Sequence, residues 1–309
     1  MTNIGENESP VVVGVDGSES ALRAVRWAAR EAERRGTALR LVHVCHVAPV
    51  RHPRQVTPPP EYQAVLFEQG RHWLTEASAA ARDVVPDLVV TVDLLGGLSA
   101  ATLVVESRTA QLMVLGSRGL GGFTTLLVGS VAVALAAHGH CPLVVVREST
   151  VDEPAAVDGP VVVGVDGSEL SDAAVTFAFE AAAARGVPVV AVHTWLDVTM
   201  AGAWTTLPGT VDWDWLQAEE EKRLAERIAL WQEKFPQVEV RPVVVRDRPW
   251  RALLEHAAGA QLVVVGSRGR GAFAGVGLGS VSQALLHHAG CPVAVARTET
   301  TSAPLGNVE

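Results

Sequence analysis

Along the chain, short runs of Val, Leu and Ile alternate with longer stretches whose apolar residues recur at helical spacing. Val11–Asp16 is a continuous apolar run ending in Asp and Gly, the pattern of a strand covered on both faces. Ser18 follows as a helix N-cap and Glu19 puts a negative charge in the first turn. Ala21–Arg35 then keeps helical spacing until Gly36 closes it. The same reading predicts strands at Leu39–Cys45, Val89–Leu95, Leu112–Leu115 and Pro142–Arg147. It predicts helices at Tyr62–Val85, Ala100–Ser107 and Leu127–His138. Strands alternating with helices pair in parallel through right-handed crossovers, with helices on both faces of an open sheet. A five-stranded, doubly wound α/β domain of Rossmann-like type is expected.

The pattern then repeats. Pro10–Glu19 reads PVVVGVDGSE, and Pro160–Glu169 reads the same. A shift of 150 also carries His43 onto His193, Gly116-Ser117-Arg118-Gly119 onto Gly266-Ser267-Arg268-Gly269, and Cys141-Pro142 onto Cys291-Pro292. Solenoid units run roughly 20–50 residues, so so long a period means two copies of a whole domain. The expected organisation is a first domain over 1–147, a small-residue acidic linker over 148–159 and a second domain over 160–309.

Composition narrows the function classes. The 309 residues are 48% hydrophobic and 19% charged, with a net charge of −9 spread along the chain. A nucleic-acid partner working through a basic face is not expected, because the 25 Lys and Arg do not cluster. Cys45, Cys141 and Cys291 form no CxxC pair and suit a reducing compartment. The start, MTNIGENESP, lacks a basic and then apolar signal region. No uncharged apolar run reaches roughly 18 residues, so a cytoplasmic location away from membranes is expected.

In a doubly wound sheet, ligands bind beyond the carboxyl ends of the strands, where strand order reverses. Asp16 and Asp166 arrive there from the first strand of each half, and His43-Val44 and His193-Thr194 from the second. Leu112–Leu115 runs into GSRGLGGFTTLLVGSV, and its counterpart into GSRGRGAFAGVGLGSV. Glycines let backbone N–H groups approach an anion closely. Gly129-Ser130-Val131 and Gly279-Ser280-Val281 then open helices whose N-terminal N–H groups and positive dipole favour phosphate. Neither loop is a Walker A, since the chain has no GK[ST]. An alanine at Gly116 and Gly266 is expected to abolish phosphate binding while costing the fold little.

GSRG, nine residues and GS resemble the G-2x-G-9x-G-[S/T] nucleotide motif of the universal stress proteins. The resemblance covers both copies, from VVVGVDGS to the closing CPLVVVR and CPVAVAR strands. It implies a tandem ATP-binding protein, with magnesium as an optional companion, whose domains join edge to edge through their last strands. On matching positions it implies that Gly14, Asp16 and the Val44 backbone bound the adenosine pocket. Gly116, Ser117, Arg118, Gly119, Leu120, Gly121 and Gly122, with Gly129, Ser130 and Val131, would hold ribose and phosphates. The second set is Gly164, Asp166, Thr194, Gly266, Ser267, Arg268, Gly269, Arg270, Gly271, Ala272, Gly279, Ser280 and Val281. The copies differ at one expected pocket position, Gly96 against Arg246, and the second loop has Gly275 and Gly277 for Thr125 and Leu127.

Other constellations carry less. His138, His140 and Cys141 share no common spacing with His287, His288 and Cys291, so no metal site is expected. His43 and His193 inside apolar strands read as hydrogen-bonded core residues. No nucleophile or second carboxylate recurs beside Asp16 and Asp166, so no catalytic residue is assigned. Asp16 is expected to contact ribose or adenine. Trp195, Trp204, Trp213 and Trp215 read as one loop whose indoles cover apolar surface. Three functions stay open: an ATP-binding regulator or sensor in stress adaptation, a slow ATPase or nucleotide-dependent transferase, and a nucleotide-free structural protein. The favoured reading is the regulator. Its two last strands are expected to pair as an intramolecular pseudo-dimer, which leaves a homodimer to another surface.

Overall fold

The computed structural model describes residues 9–46, 60–120, 128–147, 158–195, 212–269 and 277–297. The first half runs β1 (Val11–Gly14), α1 (Glu19–Arg35), β2 (Leu39–His46), α2 (Pro60–Val84), β3 (Val90–Gly97), α3 (Ser99–Glu106), β4 (Leu112–Gly116), α4 (Ser130–His138) and β5 (Leu143–Val146). The second runs β6 (Val161–Gly164), α5 (Glu169–Arg185), β7 (Val189–Thr194), α6 (Trp213–Lys234), β8 (Val240–Val245), α7 (Pro249–His256), β9 (Leu262–Gly266), α8 (Ser280–His288) and β10 (Val293–Ala296). All ten strands join one sheet in the order β3-β2-β1-β4-β5-β10-β9-β6-β7-β8. Pairing within each half is parallel, as the alternation of strands and helices predicts.

The Val runs explain the layers. Val11, Val12 and Val13 are fully buried, and each contributes about 1.5 kcal/mol or more through burial. Strand side chains alternate. Val11 and Val13 accordingly join a core beneath α1, α2, α5 and α6, while Val12 joins a second core on the opposite face with residues of α3, α4, α7 and α8. The buried face of α1 is largely alanine (Ala24, Ala28, Ala29 and Ala32), so the helix lies close on the sheet. Ser18 caps it by accepting from the Ala21 N–H at 3.1 Å, and Gly36 ends it at φ 65°. In α5 the same parts are Ser168 and Gly186.

Element ends shift for local reasons. β1 stops at Gly14 rather than Asp16, because Asp16 Oδ1 accepts from both the N–H and hydroxyl of Ser18 and turns the chain. Gly17 completes that turn at φ 84°. α4 begins at Ser130, capped by Gly129, and not at Leu127, which lies outside the described residues. Trp213 and Trp215 belong to α6 and not to a loop, because Asp212 accepts from the Trp215 N–H at 2.9 Å and starts the helix there. Trp195 packs 5.9 Å from Trp213, whereas the Trp215 indole is exposed; Trp204 lies outside the described residues.

The halves meet where β5 and β10 pair antiparallel, with Val145 opposite Val293 and Leu143 opposite Val295. On one face of this seam Glu31 is 1% exposed and accepts from Arg35 at 2.7 Å and from Arg185 at 2.6 Å. Burial opposes its charge, but Arg185, Arg35 and Arg34 together hold the carboxyl below its ordinary range. The two arginines also stack crosswise, Arg185 over Trp27 and Arg35 over Phe177. On the other face, Arg147 donates to the Leu286 carbonyl and Arg297 to the Ala136 carbonyl.

Candidate nucleotide site

The chain runs from β1 through β2 to β3 on one side, then crosses to β4 on the other. The carboxyl ends of β1 and β4 therefore flank a point of reversal, where a doubly wound sheet opens a crevice. A cavity of about 460 Å³ lies there in the first half. Its wall combines Gly14 to Asp16 from β1 and its turn, Val42 to Val44 from β2, Gly116 at the end of β4 with Arg118 and Gly119 after it, and Gly129 to Ala132 at the start of α4. Apolar strand ends form one side and backbone amides of the loop and helix the other. Gly129 gives α4 no side-chain acceptor, so the first-turn N–H groups stay available to an anion.

Asp16 lies in the cavity wall and also has a task within the fold. Its Oδ1 is taken by Ser18 at 3.0 Å (N–H) and 2.6 Å (hydroxyl), and its Oδ2 accepts from the Leu120 N–H at 3.2 Å. A Cβ on Gly119 would lie 2.3 Å from that oxygen, which is why the carboxylate can seat against the loop. Asp16 thus ties the β1–α1 turn to the glycine segment. Asp166 repeats this, with Ser168 on Oδ1 at 2.9 Å and 2.7 Å and Gly269 beside Oδ2.

Other expected residues divide. Ser117 is buried, its N–H on the Val146 carbonyl and its own carbonyl on the Gly129 N–H, so it braces the cradle from behind. Ser267 does the same with Ala296 and Gly279. Leu120 is 60% exposed and contributes its N–H to Asp16. A Cβ on Gly116 would meet the Ser20 backbone at 2.6 Å, and one on Gly266 the Leu170 carbonyl at 2.9 Å. These glycines let the strand end touch the helix, so alanine there strikes the fold and the expectation of a cheap exchange is withdrawn. Gly14 and Gly164 likewise make room for Leu115 and Leu253. Gly96 of β3 pairs with Cys45 of β2 and is not among the residues of the cavity wall. Its counterpart Arg246 stacks 3.7 Å over Trp213. Thr194 ends β7, and Arg268, Ser280 and Val281 hold in the second half the positions of Arg118, Ser130 and Val131. Gly121, Gly122, Arg270, Gly271 and Ala272 lie outside the described residues.

Sequence reasoning missed Ser99 and Leu103 of α3, which close the cavity from the side of β3. The available signal was position, since α3 follows β3 directly at the carboxyl edge. His43 and His193 are 7% exposed, with Nδ1 at 2.6 Å from the Val15 carbonyl and 2.7 Å from the Val165 carbonyl. They hold the backbone next to each aspartate. Burial pushes the Cys141 and Cys291 thiols up to about 12, so neither supplies a thiolate near neutral pH.

The universal stress protein family model matches residues 9–147 and again 159–297. Universal stress protein Rv2623 of Mycobacterium tuberculosis is 42% identical over 303 residues, covering 96% of this chain and 99% of its own. Universal stress protein Rv2005c of the same organism is 43% identical over 291 residues, covering 93% and 96%. Among solved structures, a universal stress protein from Archaeoglobus fulgidus aligns with a TM-score of 0.68 at 18% identity, covering 94% of this chain and 99% of its own. That likeness concerns the fold. With two family matches over nearly its whole length, the chain belongs to the universal stress protein family.

Proposed function

We propose that the chain is an ATP-binding regulatory protein of stress adaptation, with one adenine-nucleotide site in each half. The observation that supports this best is the first-half cavity, where Val42 to Val44 offer an apolar slot beside the glycine segment and the uncapped start of α4. An adenine would lie against the apolar strand ends, and the phosphates against N–H groups at the positive end of the helix. Asp16 serves this arrangement from the wall: Ser18 and Leu120 hold its carboxylate against the loop, and Oδ2 keeps acceptor capacity for a ribose or adenine donor. Among the described residues no group of three His, Cys, Asp or Glu is placed to hold a metal ion, so magnesium would arrive on the phosphates.

Mass spectrometry of ligand released from freshly purified protein is the direct test, followed by calorimetric titration of stripped protein with ATP. An adenine nucleotide in the released fraction and a stoichiometry of about two, one per glycine loop, are expected. Absence of ATP, ADP and AMP binding in the titration overturns the reading.

A further inference from the structure

Each helix that follows a glycine segment in one half is held at its far end by the other half. α4 starts at the first site with Gly129 and Ser130 in the cavity wall. Six residues after Ser130, about 9 Å along, its last turn meets the seam. There the Ala136 carbonyl accepts from Arg297 Nη2 at 2.6 Å. Arg297 directly follows Ala296, whose carbonyl accepts the Ser267 N–H of the second glycine loop at 3.2 Å. The mirror path has the same parts: Ser117 donates to Val146 at 3.0 Å, and Arg147, the next residue, donates to Leu286 in the last turn of α8. Gly277, shortly before α8, lies beside α4: a Cβ added there would come 3.2 Å from Ala137 Cβ.

We infer that Arg147 and Arg297 are positioning residues that act across the seam, so that nucleotide in one half tightens binding in the other. This rests on the nucleotide reading above. The sign follows from electrostatics. A cation at a helix C-terminus and an anion at its N-terminus stabilise the same dipole, so phosphate at the start of α4 strengthens the carbonyl end that holds Arg297. Arg297 held in place keeps Ala296 on Ser267, and Ser267 in turn accepts from the Gly279 N–H at the start of α8 at 2.8 Å. Burial and then the charge of Arg268 disfavour the protonated form of Arg297, and a phosphate beside Arg268 relieves the second cause, in the same direction. Because binding free energies are linked, the effect is reciprocal.

The test uses the full chain and ATP. Val281→Trp closes the second site and Val131→Trp the first, and each variant gives one intrinsic association constant. The product of the two stepwise constants of the unsubstituted chain, divided by the product of those intrinsic constants, is the coupling factor. A factor of about 5 or more is expected. Arg147→Met with Arg297→Met in all three backgrounds should bring it to about 1, while the Arg→Lys pair, which keeps a cation at each helix end, should restore most of it. Each single Met exchange leaves one link whole and should give an intermediate factor, so the result does not hinge on the double variant folding. A factor of 1 in the unsubstituted chain, or the same factor with and without the arginines, overturns the coupling. Failure of every chain to bind ATP overturns the nucleotide reading instead.

Discussion

The two halves share their strand ends and differ on the helix face behind them. In the first half Trp73 of α2 lies against the turn after β1, so close that a Cβ on Gly17 would sit 2.3 Å from its indole. Trp73 also meets the His43 ring edge to face at 5.1 Å, and Gly70 leaves room for that ring. In the second half the aligned residues are Glu220 and Arg223. Glu220 reaches His193 Nε2 at 3.3 Å, Arg223 pairs with Glu220 at 2.8 Å, and Arg227 pairs with Asp172 at 2.7 Å. A cavity of about 500 Å³ lies among these charges. The turn after the first strand is thus kept in both copies, with Gly17 and Gly167 at the same φ, while the helix face behind it has exchanged an indole for ion pairs. A polar network of this kind stays in place only if its members satisfy one another.

A second asymmetry lies at the seam, and breaking it carries the largest expected effect. Arg35 has its counterpart in Arg185, but Glu31 aligns with Ala181, so one carboxylate serves both arginines. Glu31→Gln leaves Arg185 buried without its partner and should cost about 3–5 kcal/mol in chemical denaturation. The pH dependence follows from the direction of the shift. The folded-state value lies below the ordinary 4.5, so this stabilisation is complete above about pH 4.5 and is lost as the pH falls through the folded value. Unfolding curves between neutral and acid pH should therefore be flatter on their acid side for the Gln variant. An unchanged acid limb would remove Glu31 from the seam's stability.

Much of this was legible in the chain and some was not, for definable reasons. The fully buried strands declared themselves as unbroken Val runs, and the helix caps Ser18 and Ser168 as hydroxyls before amphipathic stretches. The helix starts at Gly129-Ser130 and Gly279-Ser280 were also readable, because they are local features repeated in phase. Contacts between distant segments were not. Gly116 looks like a phosphate glycine, yet it is the approach of Ser20 from α1 that requires it. Ser99 and Leu103 enter the wall only because β3 and α3 return beside β2. Asp16 has no local sign that Leu120, far along the chain, will take its second oxygen.

An intermediate effect tests the difference in the α2 and α6 faces. Gly17 and Gly167 share the same φ of 84°, so alanine at either should lose about 1–2 kcal/mol from left-handed strain. At Gly17 the new methyl also strikes Trp73, which should add about 1–3 kcal/mol of overpacking. In a Trp73→Arg background, which installs the residue of the second half, the two alanine costs should converge. Thermal melts of the single and double variants decide this, and a persistent gap would show that the turns differ for a reason other than the indole.

The smallest effect concerns the position first taken to set the two sites apart. Gly96 against Arg246 is the one expected pocket position at which the copies differ, a glycine in one and a charged side chain in the other. The structure directs that charge elsewhere: the Arg246 guanidinium lies 3.7 Å above Trp213 and 5.8 Å from Trp195, at the outer strand of its half. Exposed cation–π pairs contribute about 0.5–1 kcal/mol, so Arg246→Ala should lower stability by no more than this. Trp195 should remain anchored through its indole N–H to Gln217 at 2.9 Å. If the arginine only stacks, ATP affinity of a chain whose first site is closed by Val131→Trp should change by less than about twofold, under 0.5 kcal/mol. A tenfold loss would mean that the side chain leaves the tryptophans to meet the nucleotide, and that the sequence-based assignment of this position was right.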